Sequence, residues 1–281
     1  MSESQQPGLA YWSGEGGDNW ARQNEFTEAM LAPVMVPLIA AASAKPGERV
    51  VDTGCGCGAL ALALAKAVGP QGRVLGIDVS PAMLAVARHL TPPEARAEFV
   101  EADATTYAFP RGGFDLLASR HGVMFFADPE RAFANLRTAL KPGGRLAFSC
   151  FRTPRDNPWA TAPLEAAYQV MPRLPKPGPE DPGPFSFADP TRVERILGSA
   201  GFAAVTMTPH DLSFDIAAGG GLETSVGYML DIGPASRTFD KGDPAARAKV
   251  EAALRAGLKP HVKGKSVLLG AGIWIVTARN S

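Results

Sequence analysis

The 281-residue sequence predicts an α/β fold, a mostly parallel sheet with helices on both faces. Three observations carry that prediction. Between Glu48 and Phe151 short apolar runs alternate with helix-patterned stretches, and repeated βα units with near-continuous apolar strands imply a parallel sheet covered on both sides. Ser80-Pro81 and Asp128-Pro129 each put a capping side chain before a proline, the pattern of a helix start. Gly69-Pro70-Gln71-Gly72 and Lys141-Pro142-Gly143-Gly144 punctuate the helices that precede them.

Taken in order, Arg49 to Asp52 is a first strand that runs directly into glycines. Ala59 to Val68 is rich in Ala and Leu with no interior Gly or Pro, which predicts a helix. Arg73 to Asp78 is a second strand, and the helix opened by Ser80-Pro81 runs to about Leu90. Ala97 to Val100 gives a third strand and Phe114 to Ser119 a fourth. Asp128-Pro129-Glu130 opens a helix to about Leu140, and Arg145 to Phe151 is a fifth strand. Ahead of the sheet, Asn19 to Ala44 is helical in pattern, interrupted by Pro33 and Pro37, and is expected to pack as a cover.

After Phe151 the rhythm breaks. Ten prolines fall between Pro154 and Pro190, around one helix at Pro163 to Met171; long segments of this kind are often lids or binding loops. A helix at Pro190 to Ala200 and a strand from Phe202 to about Thr208, or a little beyond, resume the pattern. Ala217 to Lys259 reads as an insertion with two helices, Pro244 to Ala256 the clearer, and Lys265 to Thr277 is a final strand. The expected organisation is a helical cover at 1–45, a ligand-binding core at 46–151, a proline-rich insert or lid at 152–189, and a C-terminal part at 190–281 that carries the helical insertion at about 217–260.

Lys+Arg and Asp+Glu both number 28, so the formal net charge is zero. That balance argues against nucleic-acid partners and anionic membrane, which are captured by excess positive charge. The opening Met1-Ser2-Glu3-Ser4-Gln5-Gln6 does not read as a signal peptide, and no apolar run reaches the roughly 20 residues that cross a bilayer. A cytoplasmic, reduced protein with no membrane span is expected; oligomeric state is open. The three cysteines, Cys55, Cys57 and Cys150, form no disulfide framework. Cys55 and Cys57 supply two ligands where a structural zinc site wants four, so no metal site is expected.

The most informative stretch is Val50-Val51-Asp52-Thr53-Gly54-Cys55-Gly56-Cys57-Gly58. Glycines at a strand-to-helix turn let the backbone approach a ligand closely. Gly54, Gly56 and Ala59 also satisfy the loose dinucleotide fingerprint, which keeps an NAD-dependent oxidoreductase open. Three carboxylates stand at strand ends, where open α/β sheets bind ligands. Asp52 precedes the glycines and suits a cationic group; Asp78 suits the two hydroxyls of a ribose; Asp103 suits an adenine amino group.

The stretch resembles the glycine-rich motif of class I S-adenosylmethionine-dependent methyltransferases, and within them the group that includes the ubiquinone and menaquinone biosynthesis enzymes. Gly76 to Leu84 resembles the ribose-binding segment of that group, and Glu101-Ala102-Asp103-Ala104 its adenine-side segment. Phe114 to Ser119 and Leu140 to Leu146 resemble its motifs around the fourth strand and before the fifth. The resemblance covers roughly residues 46 to 150. It implies a Rossmann-like seven-stranded sheet whose last strand runs antiparallel, and S-adenosylmethionine as cofactor with S-adenosylhomocysteine as product. It places Gly54, Gly56 and Gly58 along the methionine portion, Asp52 as its orienting group, and Asp78 with Val79 at the ribose; Cys55, between the glycines, reads as a small side chain beside the cofactor. Asp103 and Ala104 would lie at the adenine, with Met83, Ser119 and Trp20 as further cofactor contacts. The acceptor would be a small molecule.

A sulfonium already activates its methyl, so the protein must align the acceptor and exclude water. A base is needed only where a proton must leave. His121, just past the fourth strand, is the best candidate for that role; the alternative is a histidine that packs on the cofactor or a loop carbonyl. Tyr11, Trp12, Phe125, Trp159 and Tyr168 are the candidate walls of the acceptor pocket, since aromatic groups enclose and desolvate apolar substrates. A noncatalytic cofactor-binding protein is the remaining alternative.

Overall fold

The computed structural model describes residues 8–178 and 180–281. The opening hexapeptide behind the signal-peptide reading lies outside the described residues. Strands β1 (Arg49–Thr53), β2 (Arg73–Asp78), β3 (Ala97–Glu101), β4 (Phe114–Arg120) and β5 (Leu140–Phe151) are mutually parallel. β6 (Phe202–Asp215) and β8 (Ser266–Asn280) complete the sheet in the order β3-β2-β1-β4-β5-β8-β6, and the two-residue β7 (Val262–Lys263) pairs beside β8. β8 runs antiparallel to both β5 and β6, as the resemblance implies. Val50, Val51, Leu116, Leu117 and Ala118 have no exposed surface; strands covered on both faces must be apolar throughout.

Helices α1 (Leu9–Trp12), α2 (Glu15–Arg22) and α3 (Asn24–Ala42) precede the sheet, and α4 (Ala59–Val68), α5 (Pro81–Leu90) and α6 (Pro129–Ala139) connect its parallel strands. α7 (Pro158–Ala167), α8 (Pro190–Ser199), α9 (Leu222–Asp231) and α10 (Pro244–Leu258) follow. Four of these helices begin the same way. Ser80, Asp128, Asp189 and Asp243 each accept a hydrogen bond from a backbone N–H of the first turn, and each is followed by proline. The cap satisfies a donor the helix leaves orphaned, and proline has no N–H to orphan.

Pro33 and Pro37 do not interrupt the N-terminal helix as expected: α3 continues through both. Its stripe of Met30, Leu31, Val34, Leu38 and Ala42 is buried against β4, β5, β6 and β8, and that packing outweighs the missing backbone bonds. The break falls instead at Gln23, between α2 and α3. At 19 residues α3 is long and apolar enough to cross a bilayer by length and composition alone, but it packs its buried stripe against the sheet, as a core helix does. α7 starts at Pro158 rather than Pro163, because Asn157 holds its entry; the Asn157 amide donates to the carbonyls of Thr153 and Gly272, both at 3.0 Å. β6 extends to Asp215 because it pairs with β8 as far as Leu268.

Candidate functional site

The carboxyl ends of β1, β2 and β4 open into a cavity of about 370 Å³. After β1 the chain turns through Gly54, Gly56 and Gly58, with φ of 63°, 54° and 89°, a region that L side chains rarely adopt. Gly54 also touches the loop after β4: a Cβ on it would lie 2.8 Å from the Gly122 Cα. Ser119 ties the two loops together. Its Oγ donates to the Thr53 carbonyl at 2.7 Å and accepts from the Gly122 N–H at 3.2 Å. Gly54→Ala is therefore expected to cost about 1–3 kcal/mol from backbone strain alone, with the clash added. A urea midpoint equal to the parent's would contradict this contact.

Two carboxylates at the turn differ in their surroundings. Asp78 accepts from the Gly56 N–H at 2.8 Å and the Ser80 N–H at 2.9 Å. Burial raises its pKa, and these hydrogen bonds oppose the rise. A carboxylate offers about four acceptor sites, so capacity is left on the cavity side. Asp52 is wholly buried and neither oxygen has a hydrogen-bond partner of normal geometry. Burial pushes its pKa up to about 8; the Arg120 guanidinium and, weakly, the Ala61 N–H pull the other way. Arg120 is itself held by Glu28 of α3 through paired hydrogen bonds of 2.7 and 2.5 Å.

At the rim beyond β3, Asp103 accepts from the Thr105 N–H at 2.8 Å, and Ala104 is buried beside it. Met83 of α5 lies under Gly56, and Val79 joins it in the lining. Cys55 and Cys57 also line the cavity. Burial pushes the Cys57 thiol up to about 12 and the Cys55 thiol well above its usual range, so both are protonated packing groups at neutral pH.

His121 sits past β4 with a φ of 62°, its backbone N–H donating to the Ser149 carbonyl at 3.1 Å. The imidazole stacks on Phe151 with centroids 4.2 Å apart and planes 9° from parallel. Both ring nitrogens are buried with no hydrogen-bond partner. Burial, helped by the Arg120 charge, drives the pKa down to about 3, so the ring is neutral at physiological pH. Trp159 lies 5.0 Å beyond Phe151 and lengthens this aromatic wall. Opposite in sequence, Trp12 packs edge-on with Phe125 at 4.9 Å, Tyr11 at 5.2 Å and Trp20 at 5.7 Å.

Most candidate residues named from sequence thus line one cavity: Tyr11, Trp12, Trp20, Asp52, Gly54, Cys55, Gly56, Asp78, Val79, Met83, Asp103, Ala104, His121, Phe125 and Trp159. Three do not. Gly58 serves packing: a Cβ there would meet Ala87 and Phe99 at 3.0 Å. Ser119 is buried behind the turn it ties. Tyr168 follows the end of α7, where its ring carries the Arg173 guanidinium at 4.9 Å. The sequence reading missed Glu28, Arg120, Tyr228 and Arg237, which also line the cavity. Tyr228 of α9 stacks on Phe26 at 4.1 Å, and no local motif marks any of the four.

A family model described as a methyltransferase domain matches residues 50–144. The demethylmenaquinone methyltransferase of Thermus thermophilus is 34% identical over 167 residues, which span 54% of this chain and 72% of that protein. The nocamycin O-methyltransferase of Saccharothrix syringae is 28% identical over 266 residues, 88% of this chain and 90% of that one. An uncharacterised transposon protein of Streptomyces fradiae is 40% identical over 109 residues, and the match spans only 32% of its length. Among solved structures, the YcgJ protein from Bacillus subtilis superposes with a TM-score of 0.58 at 18% identity, over 88% of this chain and 98% of that one. At such identity the likeness is one of fold.

Proposed function

This chain belongs to the class I S-adenosylmethionine-dependent methyltransferases, and from that premise we propose that its acceptor is an acidic hydroxyl, a phenol or enol, on a largely apolar ring-bearing small molecule. It is an enzyme that methylates a small molecule, so the dinucleotide and noncatalytic readings of the glycine turn fall away. When bound, S-adenosylmethionine supplies a methyl carbon activated by its sulfonium. The residues present suit that group. The unpartnered Asp52 carboxyl fits the ammonium of the amino-acid portion, since a buried carboxylate needs a cation or donors. Gly54 and Gly56 leave main chain free for close approach, Asp78 keeps acceptor capacity for ribose hydroxyls, and Asp103 with Ala104 suits the adenine side.

The observation that carries the oxygen reading is His121: a neutral imidazole with both nitrogens free, in an aromatic-walled cavity. With the donor bound, a His121 ring nitrogen would take the acceptor hydroxyl's proton as that oxygen takes the methyl and the carbon–sulfur bond breaks, leaving S-adenosylhomocysteine. A ring held so strongly neutral is a weak base, which suits a hydroxyl that is itself acidic. Trp12, Phe125, Phe151 and Trp159 exclude water from the reacting atoms and press on a flat substrate. The length over which the chain matches an O-methyltransferase supports the same reading. In it, the described parts of the N-terminal segment, residues 8–45, and of the insert, residues 152–178 and 180–189, close over the bound ligands.

A screen of hydroxylated ring compounds with the methyl donor, read by mass and by the position of the new methyl, tests the proposal. Methylation confined to nitrogen or carbon across the panel would overturn it. Trp12→Ala is expected to raise the acceptor KM about tenfold, the worth of one lost aromatic contact of about 1.5 kcal/mol. Affinity for S-adenosylhomocysteine should stay within about threefold; an unchanged KM would remove Trp12 from the acceptor wall.

A further inference from the structure

We propose that the chain carries a second ligand site, for a phosphate-bearing small molecule, at the opposite end of the sheet from the methyl-transfer cavity. A separate hollow of about 370 Å³ opens there, and Arg49, Arg73 and Arg96 all line it. The sheet brings them together. Arg49 of β1 is the register partner of Arg73 of β2, and Arg96 immediately precedes Ala97, the partner of Val74. Neighbouring strands lie about 4.8 Å apart, so the three stand in a row at successive strand spacings.

Like charges directly opposite one another in a sheet are unfavourable; Glu98 is the one carboxylate among the residues that line the hollow. Among the described residues none of the three arginines forms an ion pair. The nearby carboxylate of Asp115 is engaged elsewhere, by Lys141 at 2.5 Å and the Arg49 backbone N–H at 2.9 Å. Arg49 is instead steadied over the Phe114 ring at 5.4 Å. A single carboxylate would neutralise one such cation. A phosphate or pyrophosphate carries two or more charges and presents many acceptor oxygens to guanidinium forks.

The shape selects a small ligand over a polymer. The cations line one concavity rather than an extended stripe, and the chain has zero net charge, whereas nucleic acids and anionic membranes are held by broad positive surfaces. Tyr107 and Val100 in the same hollow offer an apolar wall to the body of the ligand. Arg73 and Asp78 stand at the two ends of β2, so the arginine row lies about 17 Å from Asp78 at the rise of a strand, although Val100 of the hollow pairs with Ile77 of the methyl-transfer cavity. The arginine row is thus separate from the methyl donor's site.

Calorimetric titration with inorganic pyrophosphate, at fixed low ionic strength and with or without saturating S-adenosylhomocysteine, tests this. One saturable site indifferent to S-adenosylhomocysteine is expected, and Arg73→Gln or Arg96→Gln should each weaken it at least tenfold. An ADP titration separates the sources: tighter binding than pyrophosphate assigns a nucleotide, equal binding a free phosphate group. With no anion present, Arg73→Gln should raise the melting temperature in low salt, with the gain vanishing in high salt, because one repelling charge is gone. Unchanged S-adenosylhomocysteine affinity of the variants verifies that they fold. No saturable pyrophosphate binding, binding untouched by both substitutions, or displacement by S-adenosylhomocysteine would each overturn the site.

Discussion

Asp52→Asn is expected to make the ligand-free protein more stable while nearly abolishing its hold on the methyl donor. The carboxyl is wholly buried without a proper hydrogen-bond partner, and its pKa stands at about 8 against an ordinary 3.8. Between those values the folded state keeps a proton that the unfolded chain releases, so stability falls as pH rises from about 4 to about 8. Even two units of that displacement are worth about 2.7 kcal/mol, or a melting-temperature rise of roughly 5 °C or more when the group can no longer ionise. The gain over the parent should be absent near pH 4, grow towards pH 8 and level off above it. Binding should move the other way. Removing one partner of a buried charge pair costs 2–5 kcal/mol, so S-adenosylhomocysteine should bind about 100-fold more weakly to the variant at pH 8. Because the ammonium needs an ionised partner, the parent's affinity should also climb with pH up to about 8, and the variant's should not. Parallel stability profiles for the two proteins, followed by thermal melts across that pH range, would refute the account.

The strand ends that carry these carboxylates were legible in sequence. Asp52, Asp78 and Asp103 each sit where a short apolar run ends, and the ends of parallel strands converge by the rules of the fold. The glycines between Asp52 and Ala59 announce a backbone that must bend in the left-handed region. Their individual roles were not legible. Gly58 answers to the packing of Ala87 and Phe99 and Ser119 to the Thr53 carbonyl, contacts that spacing along the chain does not reveal. The acceptor side depended on long-range geometry still more. Glu28 and Arg120 meet across 92 residues and Thr27 and Tyr228 across 201, with no motif near any of them. Local rules also lost to packing: two prolines did not break α3, because one face of that helix is buried along its length. The start of α7 at Pro158, five residues early, left Tyr168 beyond the helix end and beneath Arg173.

Loss of the His121 ring should damage turnover far more than cofactor binding. Asparagine is the replacement of choice: the position has a φ of 62°, and Asn tolerates that region better than most residues, so the substitution tests the ring rather than the backbone. With both ligands saturating, His121→Asn is expected to lower kcat about 100-fold, the lower range for a positioned base, with S-adenosylhomocysteine affinity changed less than threefold. The pH profile separates this buried ring from an exposed imidazole. An exposed imidazole would protonate near 6.5 and activity would fall below that pH; His121 stays neutral down to about 3, so its contribution to kcat/KM should persist at pH 5. The same burial has a stability cost of opposite slope to that of Asp52. Below pH 6.5 the unfolded chain takes up a proton that the folded ring refuses, so His121 makes stability rise with pH between about 3 and 6.5. The two buried groups therefore offset each other from about pH 4 to 6.5, and the decline due to Asp52 is felt mainly from 6.5 to 8. In His121→Asn that offset is gone, and stability should fall with pH from about 4 onward. A variant that keeps the parent's kcat removes the base; one that keeps the parent's acid stability profile shows that His121 is not held neutral in the fold.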